Sequence, residues 1–173
     1  KESIWSDKEV LVNSLEEEIN AQFVIGEDWS STSNSELEFV YEKGNSVYLY
    51  QRKDSIINNE VVFMGNDSTS YAYPTCIKLN SNLWAQTGGL LIGAVCKKND
   101  SSSTIVFIQK PSTDSSWSSI YTLYQTGNLD NPRFCDLYTT YPLFSFEKSA
   151  ISKREINLIF NFSFPDQNLN TAS

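Results

Sequence analysis

Apolar positions along this chain recur mostly with a period of two or in short unbroken runs, the patterns of half-buried and fully buried strands. Leu37-Glu38-Phe39-Val40-Tyr41-Glu42 opens the series, and Gly44-Asn45 then turns the chain into residues 47–52, a hairpin signature. Further strands are expected at 60–64, 73–79, 90–97, 104–109, 119–125, 134–138, 143–146 and 156–164. The runs Leu90-Leu91-Ile92-Gly93-Ala94-Val95-Cys96 and Ile105-Val106-Phe107-Ile108 lack polar alternation, so these strands are expected to be covered on both faces. Between the strands lie Ser, Asn, Asp and Gly clusters, which is turn chemistry. One short helix is expected ahead of them. Ser14 can cap Leu15-Glu16-Glu17-Glu18, Glu17 completes a capping box, and the acids suit the helix dipole. Val24-Ile25-Gly26 changes the pattern and should end that helix near Phe23.

The chain therefore reads as a single all-β domain. A helix-containing lead-in covers residues 1–35, a strand-rich body 36–164, and a polar tail 165–173.

Composition narrows the picture. The chain has 173 residues, 40% hydrophobic and 20% charged, enough for one domain with a real core and unlike a disordered segment. Aromatic residues reach 13%, which favours strands. A net charge of −8 would repel a phosphate backbone or an anionic membrane, so nucleic acid is not expected as a partner. No apolar run is long enough for a membrane span. The sequence opens at Lys1 without a Met, so a signal peptide or upstream domain is expected to have been removed. Asn66, Asn99 and Asn161 each begin a glycosylation sequon, and the first two fall in turn-like segments. These cues lead to the expectation of a secreted, extracellular glycoprotein.

The cysteines are Cys76, Cys96 and Cys135, an odd number that leaves at most one internal disulfide. Cys76 and Cys96 flank an expected hairpin and are the natural pair, which leaves Cys135 free or available to link chains into a homo- or hetero-oligomer. The alternative is that all three are small core residues. With no His and no CxxC, a zinc site is not expected.

Residues 47–70 lie on residues 91–114 without a gap when the chain is shifted by 44. Lys53/Lys97, Val62/Val106, Phe63/Phe107, Ser68/Ser112 and Thr69/Thr113 are identical, and residues 141–164 form a looser third copy. Tyr73-Pro74 leads into Gly88-Gly89-Leu90-Leu91, then Thr104-Ile105-Val106-Phe107, then Ser112-Thr113-Asp114-Ser115-Ser116-Trp117. This order resembles a blade of the sialidase-like Asp-box β-propellers, with Ser112 and Asp114 on the box and Ser116 standing where that family has Gly. Trp117 comes two positions earlier than the family's Trp. The resemblance implies a propeller. A β-sandwich with Greek-key connections accounts for the same strands and remains the second architecture.

The family's enzymes hold a substrate carboxylate with three arginines and use a Tyr nucleophile with a Glu and an Asp. Here the arginines are Arg52, Arg133 and Arg154, and Ala72 stands before Tyr73-Pro74 where an arginine would be needed. No catalytic residue is carried over, and neither a cofactor nor a metal is expected. Without His the usual triad base is missing, and Gly88-Gly89 precedes a strand rather than a helix, unlike a phosphate loop. Glu16, Glu17 and Glu18 read as a solvated helix start, and Asp114 and Asp136 as turn residues. Aromatic side chains beside amides and hydroxyls are the remaining candidates: Trp29, Trp84, Trp117, Tyr71 and Tyr73. Such groups make sugar platforms, the rings stacking on C–H faces while polar neighbours bond hydroxyls. The alternative for each is a plug in the core or at a sheet edge. The expected function is a secreted or cell-surface, non-catalytic module that binds a glycan or an extracellular protein. Two alternatives are kept. One is a fragment or degenerate relative of a sialidase-like glycoside hydrolase. The other is the processed chain of a secreted toxin or effector, suggested by the dibasic Lys153-Arg154.

Overall fold

The computed structural model describes residues 10–24, 36–79, 89–99, 102–111, 116–135, 143–150 and 153–159. Among these residues, alternating and unbroken apolar runs become ten antiparallel strands. A four-stranded sheet takes β1 (Glu18–Phe23), β2 (Glu36–Lys43), β3 (Ser46–Lys53) and β4 (Ile56–Phe63) in chain order. A six-stranded sheet takes β5 (Thr69–Leu79), β6 (Gly89–Lys98), β7 (Ser103–Lys110), β8 (Tyr121–Cys135), β9 (Leu143–Ala150) and β10 (Lys153–Ile159), again in chain order. The all-β reading holds. Among the described residues no helix is long and apolar enough to cross a membrane.

The two-residue turn at Gly44-Asn45 closes on Lys43 opposite Ser46, with Gly44 at φ 56°. That positive φ is why glycine stands there. A second tight turn at Asp54-Ser55, with Asp54 at φ 53°, closes Lys53 on Ile56 and starts β4 earlier than the expected 60–64. Its first residues are exposed on both faces, so no burial pattern advertises them.

Parity along the strands assigns the core. Val40, Val47, Leu49 and Phe63 of the first sheet pack on Cys76, Ile92, Ala94, Cys96, Val106 and Ile108 of the second. The opposite faces of β5–β7, carrying Ile77, Leu91, Val95, Ile105 and Phe107, meet Leu129 and Phe134 of β8 and Phe144 and Phe146 of β9. β6 and β7 are thus sandwiched from both sides, as their unbroken apolar runs require. The far face of the first sheet buries Phe39, Tyr41 and Tyr50, with Leu11 and Val12 packed against them.

β8 joins what read as two segments, 119–125 and 134–138, into one strand of 15 residues. Its first half pairs with β7 and its second with β9, the register shifting by a bulge between Asp130 and Arg133. The repeat in the sequence corresponds to the β3–β4 and β6–β7 hairpins, but with different registers. Val47 faces Phe63, whereas its counterpart Leu91 faces Gln109 rather than Phe107.

Two expectations are corrected. The helix from Ser14 to Phe23 is not formed, since β1 occupies 18–23. The Ser14 hydroxyl accepts from the amide of Glu16 at 3.3 Å and donates to its carbonyl at 3.1 Å, a local turn rather than a cap. A helix so short pays the nucleation cost with few bonds to offset it, while β1 gains a ladder on β2. The Cys76–Cys96 disulfide is likewise absent, both thiols being free and buried. β5 and β6 do pair antiparallel, but Cys76 faces Ile92 and Cys96 faces Tyr71. The thiols share a face yet sit about 13 Å apart along the strands at roughly 3.3 Å per residue, beyond bridging distance.

Candidate recognition site at the paired bulges

Two strand interiors contain a proline, which cannot donate to a ladder, and both solve the problem in the same way. In β5, Ala72 faces Val95 and Thr75 faces Gly93, so one residue is extra. In β8, Asp130 faces Glu147 and Arg133 faces Ser145, with the same surplus. Each bulge has a residue with positive φ just before a buried proline, Tyr73 at 52° before Pro74 and Asn131 at 49° before Pro132. Positive φ is uncommon for any side chain and unfavourable for a bulky one. The bulges meet inside the molecule. The Phe134 amide donates to Thr75 Oγ1 at 3.2 Å, and the Leu129 amide to Ser103 Oγ at 2.9 Å, both buried. Hydroxyls thus replace ladder acceptors where the strands fall out of step.

Outward from the bulges runs a chain of polar contacts. The Tyr73 amide donates to Glu42 Oε2 at 3.1 Å, and Asn20 Nδ2 donates to the same oxygen at 2.8 Å. Asn20 is itself at φ 54°, in the bulge of β1. On the other side Lys97 Nζ lies 4.6 Å from the centre of the Tyr73 ring and 3.9 Å from Asp130 Oδ1. Arg133 Nη1 donates to Gln22 Oε1 at 3.5 Å, tying β8 to β1. Among the described residues four non-glycine positions have positive φ; Asn20, Tyr73 and Asn131 lie in or beside this cluster, and the fourth is turn residue Asp54. Both carboxylates are held by N–H or ammonium donors.

Of the aromatic residues singled out in the sequence, Tyr71, Tyr73 and Trp117 are among the described residues, and of these three Tyr73 belongs to the cluster. Tyr71 is half-buried and stacks on Phe63, ring centres 5.2 Å apart and planes 18° from parallel. Burial raises its hydroxyl above the ordinary tyrosine value. Trp117 packs on the core between the sheets, with Lys110 Nζ 5.1 Å from its ring and its Nε1 donating to Glu60 Oε2 at 3.5 Å. Trp29 and Trp84 lie outside the described residues, as do Asn161, Asp114 and Asp136. Asn66 and Asn99 are exposed and adjacent, since Asn99 Nδ2 donates to the Asp67 carbonyl at 3.1 Å. Asn66 Oδ1 accepts from the amide and hydroxyl of Ser68, each at 2.9 Å. Cys135 ends β8 opposite Leu143, and its side chain lies outside the described residues. Lys153 and Arg154 begin β10, paired with Ala150 and Ser149.

Glu42, Lys97, Asp130 and Asn20 were not singled out from the sequence. The signal was the pair of dipeptides Tyr73-Pro74 and Asn131-Pro132 in strand-like surroundings, because a proline inside a strand marks a bulge. Comparison of the chain with protein-family models, with curated proteins and with solved structures finds no match in any of the three.

Proposed function

We propose that this chain is a non-catalytic recognition module of the extracellular space that binds a glycan at the Tyr73 cluster. The observation that carries the reading is Tyr73 itself. An aromatic residue held at φ 52° stores about 1–3 kcal/mol of backbone strain, and such outliers concentrate at ligand clamps. Glu42, joined by Asn20, holds its backbone amide, and Lys97, paired with Asp130, lies over its ring, the four side chains coming from four other strands. Amides, carboxylates and an ammonium beside a ring are the groups that bond sugar hydroxyls and pack on sugar C–H faces. The exposed asparagines Asn66 and Asn99, each the first residue of a sequon, support the extracellular assignment.

A glycan array on the folded chain is expected to give selective hits. Asp130→Asn and Tyr73→Ala should each weaken binding of the best hit by about tenfold or more, while Lys78→Ala, outside the cluster, leaves it unchanged. An array without selective hits, or hits indifferent to both substitutions, refutes the reading.

A further inference from the structure

The first sheet ends at β4, and among the described residues no strand pairs with its outer edge. Natural edges are commonly blunted by Pro, by inward-pointing charge or by bulges. From Ile56 to Val61 this edge pairs regularly with β3 on its inner side, contains no Pro, and exposes Ile56 at 73% and Ile57 at 60%.

The hairpin fixes which backbone groups are left over. The two-residue turn makes Lys53 and Ile56 the closing hydrogen-bonded pair, and alternation then turns the amides and carbonyls of Ile57, Asn59 and Val61 outward. Three outward-facing residues at every second position are what an added antiparallel strand needs.

We propose that β4 is a dimerisation edge, pairing antiparallel with β4 of a second copy about a two-fold axis at Asn59. In that register Asn59 faces Asn59, Ile57 faces Val61 on both sides of the axis, and Asn58 faces Glu60. Apolar residues meet apolar residues, and all the outward backbone groups of the three residues are satisfied. Neighbouring registers are worse. An axis at Glu60 sets Glu60 against itself, an axis at Asn58 sets Ile56 against Glu60, and an axis at Ile57 sets Asp54 against Glu60. The favoured register sets Glu60 opposite Asn58, so it brings no two carboxylates together despite the chain's net charge of −8, and Glu60 keeps its ion pair with Lys110 at 2.8 Å. A closed two-fold pairing also consumes the edge and stops further growth at this site.

Light scattering coupled to size-exclusion chromatography on the full chain should report a concentration-dependent dimer. Ile57→Lys should weaken self-association by about tenfold or more while leaving the far-UV spectrum unchanged, because Ile57 is exposed. In a Cys135→Ser background, Asn59→Cys should form a reducible covalent dimer and Asn58→Cys should not, since only the former faces itself across the axis. A monomer at every concentration up to roughly millimolar, or cross-linking through position 58 in place of 59, overturns the proposal.

Discussion

At the scale of single residues, space is tightest where the sequence carries glycine within or between strands. A Cβ on Gly65 would overlap the carbonyl oxygen of Asn45, a backbone group that cannot swing aside. A Cβ on Gly93 would stand 3.0 Å from the Phe107 ring and 3.2 Å from the Thr75 methyl, a crowding that side-chain shifts can partly relieve. Both Gly→Ala changes are therefore expected to destabilise by about 1–3 kcal/mol, the overpacking range, with Gly65→Ala the more costly. Urea unfolding of the two variants checks the order; a harmless Gly65→Ala would mean that the hairpin and the 64–66 connection do not touch as described. Neither role was legible beforehand, because close approach is a property of three dimensions. What was legible at this scale was parity. Phe39 and Tyr41 against Val40, or Val47 and Leu49 against Tyr48 and Tyr50, fall on opposite faces as their alternation requires.

At the scale of elements, strand existence could be read from the chain and pairing detail could not. β2 and its turn lie where alternation and Gly44-Asn45 put them, because both signals are local. β1 was read as a helix because Ser14 and the following acids imitate a cap; the ladder with β2 outweighs that local preference. The disulfide expectation failed on register alone, since a bulge beside Pro74 and the length of the connection decide which residues face each other. The candidate site was half visible for the same reason: Tyr73 could be named, but its partners come from strands distant in the chain. The bulges themselves are testable. Thr75→Val keeps volume and burial but leaves the buried Phe134 amide without its acceptor. Losing that partner is expected to cost about 1–3 kcal/mol, and Ser103→Ala should cost a similar amount through the Leu129 amide. Chemical denaturation should show a lowered midpoint with an unchanged slope. Full stability in Thr75→Val would mean that the amide finds water instead, and that the hydroxyl does not hold the two bulges together.

At the scale of the whole molecule, the layers make stability fall at alkaline pH. Burial pushes the Cys76 thiol from 9.0 up to about 12, outweighing the hydrogen bond with the Val40 backbone. Burial also raises Cys96, which shares the layer between the sheets, and Tyr41, on the far face of the first sheet. Each group is favoured neutral in the folded chain, so its folded pKa exceeds its unfolded one. For Cys76 the contribution is complete below 9.0, where both states are protonated, and is lost as pH climbs from there through about 12. In that window the unfolded chain binds fewer protons than the folded one, so the slope of stability against pH is negative. The tyrosines, with an ordinary value of 10.0, steepen the fall from that point upward. Urea unfolding across this range should show a falling midpoint, and native Cys76 should resist thiol reagents at mildly alkaline pH that modify it in urea. Cys76→Ala should start less stable, because it leaves a cavity, yet decline less steeply above 9.0 than the parent chain. An equally steep decline in Cys76→Ala would assign the alkaline loss to the other groups and remove the Cys76 thiol from the account.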